Sequence, residues 1–181
     1  MSNPFRYPQQ AALRDGRVVT LRPFEQSDVG ALHAFFLRLP EELRRFAWDR
    51  IEARAVIESW GANIDYGRVF PLLAWSGSNI VADATLHRRD YGPLRLVGRI
   101  KWLIDPEFRA VGLGSTLVNH LIDVARANGL RHVSTLLISD IEADAVATLT
   151  DLGFESHDIK SYGADPDGGA HDMTHLVFHL G

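Results

Sequence analysis

There is no cysteine among the 181 residues, which removes disulfides, thiolate nucleophiles and cysteine-based zinc sites together. No run approaches the 18 or more consecutive apolar residues of a membrane-spanning helix. Residues 1–16 (MSNPFRYPQQAALRDG) lack the continuous apolar stretch of a secretory leader. Nor is there a basic excess: 19 Lys+Arg against 23 Asp+Glu leave a net charge of −4, which speaks against bulk binding to nucleic acid or anionic membrane. Internal repeats and low-complexity tracts are absent too. The expectation is a soluble cytoplasmic protein with no nucleic-acid and no membrane partner. What is present is an ordinary globular share of apolar residues, 46%, enough for one core in a chain of single-domain length.

The Pro/Gln-flavoured segment 1–16 reads as an N-terminal arm, leaving one domain over 17–181. Arg17–Arg22 is β-branched and bounded by Gly16 and Pro23, a strand. Val29, Leu32, Phe35, Phe36 and Leu39 recur at helical spacing after Ser27-Asp28. Pro40-Glu41-Glu42 opens a second short helix, and Ile51–Asn63 a third. Past Gly67 come three strands in a meander: Val69–Ala74, Ile80–His87 and Leu94–Ile104, the first two joined by the turn Ser76–Asn79. Gly112–Asn128 is a helix with Leu113, Leu117, Leu121 and Val124 in one stripe. His132–Ile138 is a strand and Ile141–Leu152 a helix. Phe154–Tyr162 and Met173–Leu180 are the last strands, around a Gly/Asp-rich loop at Gly163–Asp172. The order predicts an α/β fold with a mixed, mostly antiparallel sheet of about seven strands and helices on both faces.

One stretch carries chemistry. Arg109-Ala110-Val111-Gly112-Leu113-Gly114 lies directly between a strand and a helix. Free N–H groups at the helix start, the helix dipole, close backbone approach at glycine and the Arg109 charge make an anion site, with pyrophosphate the natural guest. A bare Gly-x-Gly more often only relieves crowding where helix meets sheet. A nucleotide P-loop needs Lys before Ser/Thr, and Gly114 is followed by Ser115-Thr116. A dinucleotide fingerprint needs a third glycine where Leu117 stands, and a loop after the first strand of a parallel set.

Ile100 through Gly114 resembles the signature of the GNAT superfamily of N-acetyltransferases, whose Arg/Gln-x-x-Gly-x-Gly/Ala loop binds the pyrophosphate of acetyl-CoA. Ala145 followed by Leu152-Gly153-Phe154 is similar to that family's closing segment, and Val18–Pro23 with Asp28 to its opening strand. Phe35–Glu42 and Arg45-Phe46 resemble, more faintly, the GNAT domains of protein-lysine acetyltransferases. The resemblance implies that the strands Leu94–Ile104 and His132–Ile138, fourth and fifth of the family's sheet, splay apart and that pantetheine fills the gap. It implies backbone contacts to pantetheine from Leu103 and Ile104. Pyrophosphate would be held by Arg109, Ala110, Val111, Gly112, Leu113, Gly114 and Ser115, with Ser139 and Asp140 at the splay. Acetyl-CoA is the implied cosubstrate, with no metal, and the acceptor is an amine of a small molecule or a protein. The implied acceptor groove is built by Phe46–Asp65 and Gly163–Asp172, and edge strands leave room for a homodimer.

Three positions depart from the family. Its frequent carboxylate base falls at Arg99, its thiolate-protonating Tyr at Leu149, and the Asn that often opens its last helix at Glu142. Two functions therefore stand side by side, an N-acetyltransferase with atypical catalytic positions and a non-catalytic acyl-CoA-binding module. His87 and Arg99 are the catalytic candidates, His87 for its ordinary pKa. Arg99 shares a strand face with Lys101 and so makes a groove basic, or else it pairs with a surface acid such as Asp83 or Glu107. His171, His175 and His179 lie on a strand, where four residues span about 13 Å, too far for one metal. Asp165-Pro166-Asp167-Gly168 reads as a hairpin turn rather than a calcium loop. The four tryptophans are too scattered for a base-stacking platform, and His120 is expected at the surface.

Overall fold

The computed structural model describes residues 4–181. Its strands are β1 (Gln9–Ala12), β2 (Val18–Pro23), β3 (Val69–Ser76), β4 (Asn79–His87), β5 (Val97–Ile104), β6 (His132–Ile138), β7 (Glu155–Ala164) and β8 (Ala170–His179). They form one eight-stranded sheet in the order β1-β2-β3-β4-β5-β6-β8-β7. Only β5 and β6 run parallel; the other neighbours are antiparallel. The helices are α1 (Val29–Arg38), α2 (Glu41–Arg45), α3 (Arg54–Ala62), α4 (Leu113–Ala127) and α5 (Ala143–Asp151). This is the α/β architecture read from the sequence, with one strand more.

The additional strand is β1, inside the segment read as an arm. Gln-Gln-Ala-Ala is a weak strand former, but β2 offers it an edge, and Gln9 to Ala12 pair with Leu21 to Val18. The chain before it is pinned by His120 of α4. The Phe5 ring stacks on the His120 ring at 3.7 Å between centroids, and Tyr7 Oη lies 2.5 Å from Nε2. His120 is thus buried, 6% exposed, not at the surface as expected. It lies at i+3 from Leu117 and i−4 from Val124, on the edge of the stripe that α4 turns inward.

Burial drives the His120 pKa from its ordinary 6.5 down to about 4. Above 6.5 the ring is neutral folded and unfolded, and it contributes no pH dependence. As pH falls from 6.5 toward 4, only the unfolded chain takes up the proton, so stability is lost across that window. His120→Gln is expected to flatten this part of the wild-type curve of melting temperature against pH. Identical slopes in the two proteins would contradict it.

The two faces of the sheet carry separate cores, as the two-residue repeat of a strand requires. Leu32, Phe35 and Phe36 of α1 and Ile57 of α3 pack on Leu73 and Ile80. Leu113, Leu117, Leu121 and Val124 of α4 pack on the opposite face, with Leu72, Ala82, Ala84 and Ile100. Removing a ring such as Phe35 or Phe36, both essentially unexposed, would cost about 3–5 kcal/mol by cavity formation. At the C-terminal end, β7 and β8 run on through half of the expected loop, leaving a turn between Ala164 and Ala170. Register shifts between Ile159 and Gly163, where Ser161 has φ 51°. Asp172 secures that bulge by accepting from Ser161 N and Lys160 Nζ.

Candidate active site

The parallel ladder between β5 and β6 is short. Val97, Gly98 and Arg99 pair with His132, Val133 and Ser134, and the pairing stops there. β5 continues to Ile104 against β4, and β6 continues to Ile138 against β8. Ile100–Ile104 and Thr135–Ile138 therefore face a gap inside the sheet, whose peptide groups need partners. Glu142 fills part of its far end: its carboxylate accepts from Ile138 N at 2.7 Å. Burial raises the Glu142 pKa, while that hydrogen bond and the charge of Arg109 pull it down.

The turn after β5 leads into the segment expected to hold an anion. Asp105 accepts from Glu107 N to start a short 3-10 turn, and the chain then reaches α4 through two residues of positive φ, Ala110 at 57° and Gly112 at 91°. Gly112 is the cap of α4, its carbonyl taking Thr116 N at 3.0 Å. Helix geometry leaves the N–H groups of Leu113, Gly114 and Ser115 without intrahelical acceptors. A residue the sequence did not single out stands over this turn. Arg14 donates its backbone N–H to Val111 O at 2.9 Å, and a Cβ at Gly112 would lie 3.4 Å from its guanidinium Nε. Across the gap, Ser139 Oγ is 2.8 Å from Thr174 Oγ1, which donates to Asp158, and Asp140 lies 3.5 Å from His171.

Residues opposite one another in register share a face. His87 faces Arg99, Thr85 faces Lys101 and Asp83 faces Leu103, so all six lie on the α1/α3 face of the sheet. The loop between α2 and α3 closes on them. Arg99 stacks on Trp48 at 3.9 Å, and Lys101 reaches both Trp48 and, at 3.5 Å, Asp49. Neither Asp83 nor Glu107 pairs with Arg99, and among the described residues no acid does; its guanidinium is partly buried and without a counter-charge. His87 is 2.9 Å from Thr85 Oγ1. Burial, reinforced by the charge of Lys101, lowers its pKa to about 4.

Asp83, expected as a surface acid, is instead sunk between β3 and β5. Its Oδ1 has neither solvent nor a hydrogen-bond partner. The residue keeps some exposed surface although its carboxyl is packed round by protein, and that burial lifts its pKa to about 7 against the opposing charge of Lys101. An acid between Ala82 and Ala84, within an apolar strand, is the signal the sequence offered.

The two segments expected to form the acceptor groove meet each other. Arg45 pairs with Asp167, and with Asp165 at 3.5 Å, while Phe46 meets the His171 ring edge-on. An open cavity of about 480 Å³ lies in the α2–α3 loop, lined from Arg44 to Ala53 and by none of the β5 residues. Among the described residues no three His, Asp or Glu side chains converge as metal ligands, and no helix is long and apolar enough to cross a membrane.

The family model of the acetyltransferase (GNAT) family matches residues 27–154. The chain belongs to the GNAT family. An acetyltransferase of Pseudomonas aeruginosa is 30% identical over 137 residues, covering 67% of each chain. Among solved structures, the GNAT domain of PAT from S. lividans superposes with a TM-score of 0.78 at 20% identity, over 95% of this chain and 96% of that one. A GNAT phosphinothricin acetyltransferase of Sinorhizobium meliloti, in complex with acetyl-CoA, gives 0.74 at 19% identity, over 90% and 89%. At these identities the structural likeness is one of fold. Acyl transfer is the chemistry of the GNAT family to which the chain belongs. Of the three positions expected to depart from the family pattern, Leu149 is wholly buried in the α4 core, Glu142 closes the end of β6, and Arg99 lies against Trp48.

Proposed function

We propose that the chain is an acetyl-CoA-dependent N-acetyltransferase that moves an acetyl group to an amine of a small molecule or protein. The observation that carries this reading is the broken β5–β6 ladder ending beside a glycine turn, with the charged face of β4 and β5 opening on the same gap. In this reading pantetheine, an amide-bearing chain, pairs with the backbone of Leu103 and Ile104 and supplies the partners the gap lacks. Arg109, Ala110, Val111, Gly112, Leu113, Gly114 and Ser115 hold the pyrophosphate, and Ser139 and Asp140 form the opposite lip. The reading needs no metal. Bound acetyl-CoA supplies the thioester; the chain's own work is to orient it, exclude water and manage the acceptor's proton.

Arg14 belongs to this site, because its guanidinium lies where a pyrophosphate over Gly112 would need a counter-charge. Arg14→Ala is expected to weaken acetyl-CoA binding about tenfold, the scale of one charge-assisted hydrogen bond. Calorimetric titration checks this, and an unchanged affinity would place the anion away from the β1–β2 turn.

The function is tested by native mass spectrometry of the purified protein for bound CoA or acetyl-CoA, followed by thiol release with a panel of amines. Amine-dependent release of CoA is expected. Binding without release for every amine would leave a non-catalytic acyl-CoA-binding module.

A further inference from the structure

A strongly basic amine is almost wholly protonated at pH 7, and its nitrogen has no lone pair for attack until a base takes the proton. We propose that Asp83 is that base, its carboxylate taking the acceptor's proton. The proposal rests on the acetyltransferase reading above and adds the residue that makes the acceptor nucleophilic.

Position argues for it first. Asp83 stands directly opposite Leu103 across the β4–β5 ladder. Leu103 is unpaired on its other side, so the carboxylate lies one strand from the edge of the gap. The other groups on this face do not suit the task. Arg99 and Lys101 are cations and have no free lone pair to offer an ammonium ion. The Asp49 carboxylate, on the loop above, is engaged with Lys101. His87, on the same strand, sits beside Thr85 and is too weakly basic once buried. On β2, Arg22 is held by both oxygens of Asp28 and lies over Trp75 of β3. From α1, His33 bonds Glu52 O. Leu73 of β3 and Leu103 of β5, on either side of Asp83, do not titrate.

Leaving a buried carboxylate oxygen unpartnered is costly to a fold, and here the cost falls on an acid one strand from the gap. Its pKa, raised to about 7 by that burial, brings its titration into the neutral range, where a base is both available and strong enough to act. Lys101 restrains the rise, which makes it a positioning and tuning residue for Asp83.

The step balances. The acceptor ammonium gives one proton to Asp83. The freed amine attacks the thioester carbonyl carbon, the C–N bond forms and the C–S bond breaks. The second nitrogen proton neutralises the departing thiolate by way of solvent. Asp83 then returns its proton to solvent, so the sum is one amide, one CoA thiol and one proton released.

The test compares wild type, Asp83→Asn and Asp83→Glu in thiol release from acetyl-CoA with spermidine, L-lysine and L-glutamate. Calorimetric binding of acetyl-CoA is measured on each. Wild-type kcat/KM is expected to rise with pH through an apparent pKa near 7. Asp83→Asn should lower it about 10²–10³-fold at pH 7, with acetyl-CoA affinity unchanged, and Asp83→Glu should recover part of the loss. Independently, carbon-13 carboxyl labelling of aspartate should show one resonance titrating near 7 in wild type and missing from Asp83→Asn. Asp83→Asn that keeps the wild-type rate and profile, or no aspartate titrating between pH 6 and 8, overturns the role of Asp83 while leaving the transferase reading intact. Failure of wild type to bind acetyl-CoA, or to acetylate any of the amines, overturns both.

Discussion

Gly112→Asp is expected to abolish the thermal stabilisation that acetyl-CoA gives the wild-type protein. At ligand about 100 times its dissociation constant, wild type should gain about 2.7 kcal/mol, read as a rise in melting temperature. The loss has two sources. Gly112 sits at φ 91°, a conformation that costs a side-chain-bearing residue of order 1 kcal/mol or more. The new side chain also projects a negative charge toward Arg14, into the space a pyrophosphate must occupy. Gly112→Ala separates the two, because it brings the strain without the charge and should keep part of the shift. Equal shifts in wild type and Gly112→Asp would place the ligand elsewhere on the molecule.

Arg99→Ala is expected to raise KM at least tenfold for acceptors that carry a carboxylate or phosphate beside the amine, with a smaller effect on kcat. The guanidinium stands on β5 over the Trp48 ring, with no acid to neutralise it among the described residues. A fixed, partly buried cation of that kind attracts an anionic group and repels a polycation. It differs from Lys101, whose charge is already shared with Asp49. The effect should shrink as salt is added, and Arg99→Glu should turn the preference toward cationic amines. A wild type that prefers spermidine to L-glutamate, or an Arg99→Ala variant with unaltered KM, contradicts this role. Uniform binding energy is what Arg99 would supply, which is why KM carries the change.

How much of this was legible in the sequence depended on whether a residue's surroundings come from its own strand or from a distant one. Alternation along β5 put Arg99, Lys101 and Leu103 on one face and Ile100, Trp102 and Ile104 on the other, and the register with β4 agrees. The helix stripes and the glycine turn of α4 were equally local, and the meander followed from its turn residues. What the sequence hid was pairing at long range. β1 becomes a strand because β2 presents an edge, not because Gln9–Ala12 favours one. The Gly/Asp-rich segment after Tyr162 looked like loop, yet β8 extends pairing as far as Ala164 and Ala170. His120 lay on the flank of its helix stripe, and only the returning Phe5 and Tyr7 bury it. Arg14 gave no sign of its place over Gly112, since that contact joins the β1–β2 turn to the start of α4. Asp83 was the clearest missed signal, an acid set in an apolar strand and unpaired at Oδ1.

The charged contacts at the rim show why the acceptor was the least legible part. Arg45 with Asp165 and Asp167, and Phe46 with His171, bring the α2–α3 loop against the β7–β8 turn. Those segments are more than a hundred residues apart in sequence, and the chemistry of a surface they build together cannot be read from either alone. The sheet face beneath it carries Arg99 without an acid partner, Lys101 beside Asp49, and the buried carboxyl of Asp83.

Acetyl transfer is read most directly from a single measurement, the mass of an amine acceptor incubated with the protein and acetyl-CoA. L-glutamate, L-lysine and spermidine are each followed alongside release of the CoA thiol. The account predicts an acceptor that gains one acetyl group for each thiol released, only when protein, acetyl-CoA and amine are all present, and far more slowly with Gly112→Asp. Acetyl-CoA bound but left intact, with every amine recovered unmodified, would contradict it.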